Sequence, residues 1–547
     1  MSIVRPLPKA LTQPISILVL LAWAGVMALV VNRSYLQASS NLATDLARYG
    51  SSATWRGVYY RGEKIGFTVS QTVPTGDGFD LEEDGRLQMA LLGAHTAATI
   101  RTTAHVDADF ALRSFEFSLD PGTGPIEISG IVGGPERAAL RTDGGTRLTL
   151  TVKTASGIRT EDRVLTEPPA LSLNLSRRLA NGGLVPGARH HWTVFDPATL
   201  HNAPVTIDVG KRELISGAGR PIPAFRVEME FAGLHTTSWV TDTGDVVREE
   251  SPLGLITVRE TPERARAMAV PIKVQSDMYE SAAIVPTGKE RIDEPADVRR
   301  LRIRLDGVDL SSADLDGGAQ TRISGSATVL ELRDPRMLKA EAADPSARQY
   351  LSPEPLIESD DPDIKAEAER AVRGVTGRRA QAERLTRAVN GLLEKKPTVS
   401  IPSAREVLRT KVGDCNEHTA LFVAMARAAG IPARINVGLV FVRGAFYYHA
   451  WPEVYIDEGA RGQWLPVDPT LNQFPADATH VRLARGGLDK QTVILPLIGR
   501  LKMTVLELDV APGSRRITAG ASAAPPADLG ALAIPLPTRK TCCACSK

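Results

Sequence analysis

One thiol, Cys415, stands in the body of this 547-residue chain, and an imidazole, His449, and a carboxylate, Asp468, follow it. Three such groups can serve as nucleophile, base and the acid that orients the base. Cys415 heads an apolar run, Thr419 to Ala429, that Asp414 can cap and that Gly430 and Pro432 stop. The spacing predicts a buried helix with the thiol in its first turn. The positive end of that helix favours thiolate. Taken alone, Cys415 reads equally as a small buried apolar side chain.

The histidine and the acid need strands to present them. Tyr447, His449, Trp451, Glu453 and Tyr455 alternate onto one face of a predicted strand, and Ala450, Val454 and Ile456 onto the other. Gly444 falls in the turn that would pair this strand with Ile435 to Val442 as a hairpin. Pro452 cannot donate a ladder hydrogen bond, which predicts an edge or unbonded position. Trp464 to Val467 form a short strand that ends on Asp468, whose carboxylate could accept the second imidazole N–H.

Together, Gly413-Asp414-Cys415 opening an apolar helix, His449-Ala450-Trp451 in a strand, and Trp464 through Asp468-Pro469-Thr470 resemble the transglutaminase-like superfamily in its bacterial, membrane-anchored branch. The resemblance spans roughly residues 350–508. It implies a papain-like α+β core with Cys415 as nucleophile, His449 as base and acid, and Asp468 fixing the imidazole. It further implies acyl transfer or hydrolysis on protein or peptide amides, including those of the cell envelope, through a Cys415 thioester. No cofactor and no metal ion is expected. An amine acceptor would make the reaction a transglutamination, and water would make it a peptidase or amidase reaction.

An oxyanion donor is also needed. The Cys415 backbone N–H can supply one, but the indole that relatives often add is missing, because no Trp lies between Trp239 and Trp451. Asn390 and Asn416 are the candidates to replace it. His480 and His418 are rival bases that rank behind His449. The alternative to an enzyme is an inactive core carried by a β region that binds a ligand or a protein.

Composition is that of an ordinary globular chain, with 43% hydrophobic residues, 23% charged residues and a net charge of +2, which gives no reason to expect nucleic acid. No P-loop, dinucleotide fingerprint or zinc-type spacing is present. Residues 10–32 carry no charge, and the apolar stretch from Ile15 to Val31 is long enough for a hydrocarbon core of ~30 Å. Arg5 and Lys9 precede it, which predicts a single-pass inner-membrane anchor, or else a long signal peptide cut near Ala38, with the bulk of the chain outside the cytoplasm in either case. A sole body thiol suits an oxidising compartment, where structural cysteines nearby would threaten it.

The expected organisation follows from these signals. Residues 1–33 form a cytoplasmic stub and transmembrane anchor, and 34–50 a linker. Residues 51–283 form a large antiparallel β region, read from short alternating strands punctuated by glycine and aspartate. Residues 284–349 form a small β module or connector and 350–510 the transglutaminase-like domain, whose sheet Val493 to Val510 would complete. Residues 511–547, with Cys542, Cys543 and Cys545, read as a disordered tail. Ser403 and Glu406 predict a capping box for a short helix just before the nucleophile.

Overall fold

The computed structural model describes residues 49–512, apart from 51, 92–93, 123, 134–144, 199, 232, 269–276, 327, 398–399 and 458. The expected span at 10–32 and the tail with Cys542, Cys543 and Cys545 lie outside the described residues. Among the described residues, no helix is long and apolar enough to cross a membrane. Contacts divide the chain into Met1–Thr54 and Trp55–Lys547, and the elements below belong to the second unit.

Fourteen strands form one antiparallel sheet whose two halves meet in the middle. From Thr54–Tyr60 to Gly157–Leu165 the strands step outward in chain order. From Arg189–Asp196 to Leu255–Glu260 they step back in, so that the first strand pairs with the last, Trp55 opposite Glu260. The period-two pattern that predicts these strands also divides their faces. In Thr146–Thr154, Leu148, Leu150 and Val152 are buried while Arg147 and Lys153 are exposed. The buried face of this first half belongs to one apolar core with helical residues of the C-terminal region, among them Ile364, Leu385 and Phe422. Helix Ser172–Ala180 covers the second half with Leu175 and Leu179.

A second sheet of five strands departs from expectation. Lys502–Val510 does not complete the sheet that carries His449; it pairs antiparallel with Val298–Asp306 in the smaller sheet, and Leu488–Leu497 is a 3-10 helix. Complementary faces select this partner. Arg302 meets Glu507 at 2.6 Å on the exposed side, and Leu301, Ile303, Met503 and Val505 share the buried side. The expected division at 349/350 is therefore crossed by the last described strand.

The core around Cys415 is built on helix Cys415–Ala428. Ala420 to Ala426 are all fully buried, as befits a helix apolar on every side and enclosed by others. Helices Pro362–Val372, Arg378–Leu392 and Ala404–Thr410 pack on it. An antiparallel sheet covers the remaining side, in the order Glu341–Ala342, Arg461–Pro466, Ala445–Asp457, Ala433–Val442, Val481–Gly486. The central hairpin turns at Arg443 and Gly444 with φ of 49° and 95°, both in the left-handed region, the geometry of a two-residue hairpin turn. Pro452 is not at an edge. It lies opposite Ile435 in the middle strand, in the row just beyond the last pair with Arg461–Pro466, where no ladder donor is required.

The turn before the nucleophile is held by a reciprocal cap. Asp414 Oδ1 accepts the Asn416 N–H at 3.0 Å, and the Glu417 carboxyl accepts the Asp414 N–H at 2.7 Å. Glu417 then lies against Gly413, where an added Cβ would sit 2.2 Å from the Glu417 Cβ. The predicted box at Ser403 forms only one arm: Ser403 caps the Glu406 N–H, but the Glu406 carboxylate turns away to Ser156 and Arg409. Gly413→Ala is expected to destabilise the protein by roughly 1–3 kcal/mol through this overlap. A denaturant midpoint within error of wild type would contradict the close packing of Gly413 on Glu417.

Candidate active site

Cys415 and His449 line the same two cavities. The Cys415 side chain is partly open to solvent. Crowding by protein is nevertheless dense there. Burial pushes the thiol well above the ordinary cysteine range, the neighbouring Asp414, Glu417 and Asp468 add to the rise, and the Ala450 backbone N–H opposes it. Desolvation and the nearby acids thus act against the bias toward thiolate expected at a helix N-terminus.

Asp468 is fully buried at the end of the strand–turn that follows Arg461–Pro466. Its Oδ2 receives His449 Nε2 at 2.8 Å and His480 Nε2 at 3.1 Å, and its Oδ1 receives the Leu471 N–H at 2.9 Å. Burial by itself would raise the carboxyl, but the two imidazoles hold it well below the usual carboxylate range. A carboxylate only accepts hydrogen bonds, so both Nε2 atoms carry protons. For His449 this leaves Nδ1 as the basic nitrogen. Trp451 lies parallel to the His449 ring, with centroids 6.0 Å apart, and meets His480 edge-on at 5.1 Å. The indole therefore packs against both rings of the pair.

His480 is more than a rival base. Its Nδ1 faces Asp477 Oδ1 at 3.3 Å while Nε2 faces Asp468, so both nitrogens meet carboxylates in a fully buried setting. Burial would lower this imidazole, yet the two hydrogen-bonded acids raise it to about 10, and Asp477 in turn is held at about 2. Sequence reading placed His480 only as a second-choice base; its place on Asp468 comes from a loop whose path no local pattern reveals. His449, Asp468 and His480 bring ligand-type atoms within 4.8 Å of one another, a set that could hold a metal ion. The His480 imidazolium, flanked by two carboxylates, already supplies a cation to that cluster.

His418, the other rival, is fully buried and donates from Nδ1 to the Asp414 carbonyl at 2.7 Å. Asn390 is not placed as an oxyanion donor, since its amide donates to the Pro469 and Thr470 carbonyls at 2.7 and 3.2 Å. Asn416 lines one cavity beside Cys415. A residue missed by sequence reading joins it. Tyr279, on the short helix Met278–Ala282, lines both cavities and points its hydroxyl at Asp414 Oδ2 over 3.4 Å, a long contact for an O–H donor. Asp414 and burial hold that hydroxyl well above the ordinary tyrosine range, so it stays protonated. Nothing in its local sequence signals this role, because the segment lies far upstream of the nucleophile. Lys395 lines the wall on the other side, where burial lowers its ammonium and Asp468 acts in the opposite direction.

The His480 charge gives a stability test. Its folded pKa is raised from about 6.5 to about 10, so its contribution is complete below about pH 6.5 and is lost as pH rises through about 10. Unfolding measured from pH 6 to 10 should show wild type losing stability, on the order of a few kcal/mol, along a steeper slope than His480→Gln. Parallel slopes for the two proteins would show that His480 is not a buried imidazolium.

Residues 365–469 match the transglutaminase-like superfamily. No match is found among the curated proteins. Among solved structures, a candidate cysteine protease from Cytophaga hutchinsonii is 18% identical, with 42% of this chain and 89% of that one covered and a TM-score of 0.25. A β-barrel-like protein of a domain family of unknown function from Brucella abortus is 14% identical over 38% of this chain and 95% of that one, with a TM-score of 0.28. The periplasmic domain of TgpA from Pseudomonas aeruginosa is 20% identical over 34% and 76%, with a TM-score of 0.24. Overlaps at these scores say nothing of substrate. The stretch from 365 to 469, which carries Cys415, His449 and Asp468, belongs to the transglutaminase-like superfamily.

Proposed function

We propose that the chain is an exported cysteine enzyme, held to the inner membrane by residues 10–32, that acts on protein or peptide amides through a Cys415 thioester. The observation that carries this reading is the buried His449–Asp468 pair at 2.8 Å beside a thiol in a shared cavity. In the resting site the thiol keeps its proton, as its raised pKa requires. On attack, that proton passes to His449 Nδ1 as sulfur bonds to the amide carbon. The imidazolium is stabilised by Asp468 and returns the proton to the leaving nitrogen as the C–N bond breaks. Water or an amine then gives its proton to His449, attacks the thioester and restores the thiol.

The tetrahedral oxygen needs donors in this scheme. The Cys415 backbone N–H supplies one, and the Tyr279 hydroxyl takes the place of the absent indole. Its long resting contact with Asp414 leaves it able to turn. A second reading, an inactive core serving a binding β region, draws support from the acids that crowd Cys415.

Intact-mass analysis after incubation with a glutamine peptide, with and without a primary amine, separates these readings. A thioester adduct on Cys415, absent in Cys415→Ala, supports the enzyme; no adduct and no product supports the scaffold. Alkylation of Cys415 by iodoacetamide should keep accelerating above the ordinary thiol value of about 8.5, with a profile altered in His449→Ala. A titration at the ordinary value, indifferent to His449, would overturn the pairing. Tyr279→Phe should lower kcat about a hundredfold or more with little change in KM and an unchanged thermal midpoint; retained kcat removes the hydroxyl from the mechanism.

A further inference from the structure

The two cavities that meet at Cys415 are both mostly apolar and differ in the charged residues along their walls. One, of about 350 Å³, is walled by Met89, Leu91 and Leu253 of the large sheet region, Met278 of the short helix, and Ile494 and Ile498 beyond the catalytic sheet. The other, of about 210 Å³, has Lys395, Lys396 and Arg443 in its walls together with the acids Asp414 and Glu280, while Asp468 acts on Lys395 from beside it. Asp414 is committed to the helix cap. Among the described residues, none of the three cations makes an ion pair, although most arginines in the smaller sheet do. Tyr279, Cys415, Tyr448 and His449 line both spaces, so an amide carbonyl placed at the sulfur extends one flank into each.

We propose that the substrate is an amide joining a hydrocarbon chain to a carboxylate-bearing part, an N-acyl amino acid or the acylated end of a peptide, with the chain against the large sheet and the carboxylate at Lys395. This rests on the enzymatic reading of Cys415 for turnover, but not for binding. Apolar walls reward each methylene removed from water, and an ammonium that makes no direct ion pair beside a cavity rewards an anion. The large sheet thereby becomes part of the catalytic cleft, which gives the β region a place in the chemistry. The bond cleaved and the proton path are those of the thioester sequence above; with water as acceptor, the products are a carboxylic acid and a free amine.

The test is binding to full-length Cys415→Ala protein by calorimetry, using three probes that stay monomeric: N-octanoylglutamate, N-acetylglutamate and N-octanoylethanolamine. The first should bind at least about tenfold tighter than either of the others. Leu253→Asp should erase the advantage of octanoyl over acetyl, and Lys395→Gln the advantage of glutamate over ethanolamine. Equal binding of the three probes, no binding of any, or variants that leave both advantages intact would overturn the assignment. The same octanoyl probe is then incubated with wild type and weighed. Selective binding without any thioester would sink the enzymatic reading and leave the cavity assignment standing; a thioester from all amides without selectivity would do the reverse.

Discussion

A buried negative charge shared between two imidazoles governs this molecule. Asp468 is sealed from water, and a carboxylate there is tolerable only because His449 and His480 both donate to it. That requirement fixes the protonated nitrogen of His449 and leaves Nδ1 as the one able to accept a proton. It also favours the charged form of His480, whose Nδ1 meets Asp477. Hydrogen bonds among these four groups thus set where the protons sit, and the His449 tautomer is a by-product of satisfying them.

The thiol side is governed by packing instead. Gly413 lets Glu417 lie close enough to take the Asp414 N–H, and Asp414 can then cap the helix that begins at Cys415. The same carboxyls that hold the turn also discourage a resting thiolate. Helix position and charge environment pull in opposite directions, in surroundings that are dense and poor in water.

Features set by neighbours in sequence were legible, and features set by distant partners were not. The cap at Asp414, the two faces of Ala445–Asp457 and the turn at Gly444 each follow from side chains within one element. Asp468 was reachable because it closes the strand next to the histidine's. Tyr279 was not, since it enters from a helix over a hundred residues upstream, and Asn390 looked available only until its carbonyl partners came into view. The last strand was misassigned for a similar reason. An apolar alternation says that Lys502–Val510 is a strand, but only the arginines of Val298–Asp306 opposite Glu507 and Asp509 say whose neighbour it is.

That pairing has an architectural consequence. The polypeptide leaves the smaller sheet after Val329–Arg333, builds the helices and hairpin that carry Cys415 and His449, and returns as Lys502–Val510, so that both strands flank Val298–Asp306. The superfamily stretch is therefore an insert between two strands that share Val298–Asp306 as their common neighbour, clasped at both ends like a loop of very large size. Excising residues 365–469 would strip away the clasp, along with His480 and Tyr279, so the smallest autonomous piece is set by the brackets rather than by the motif.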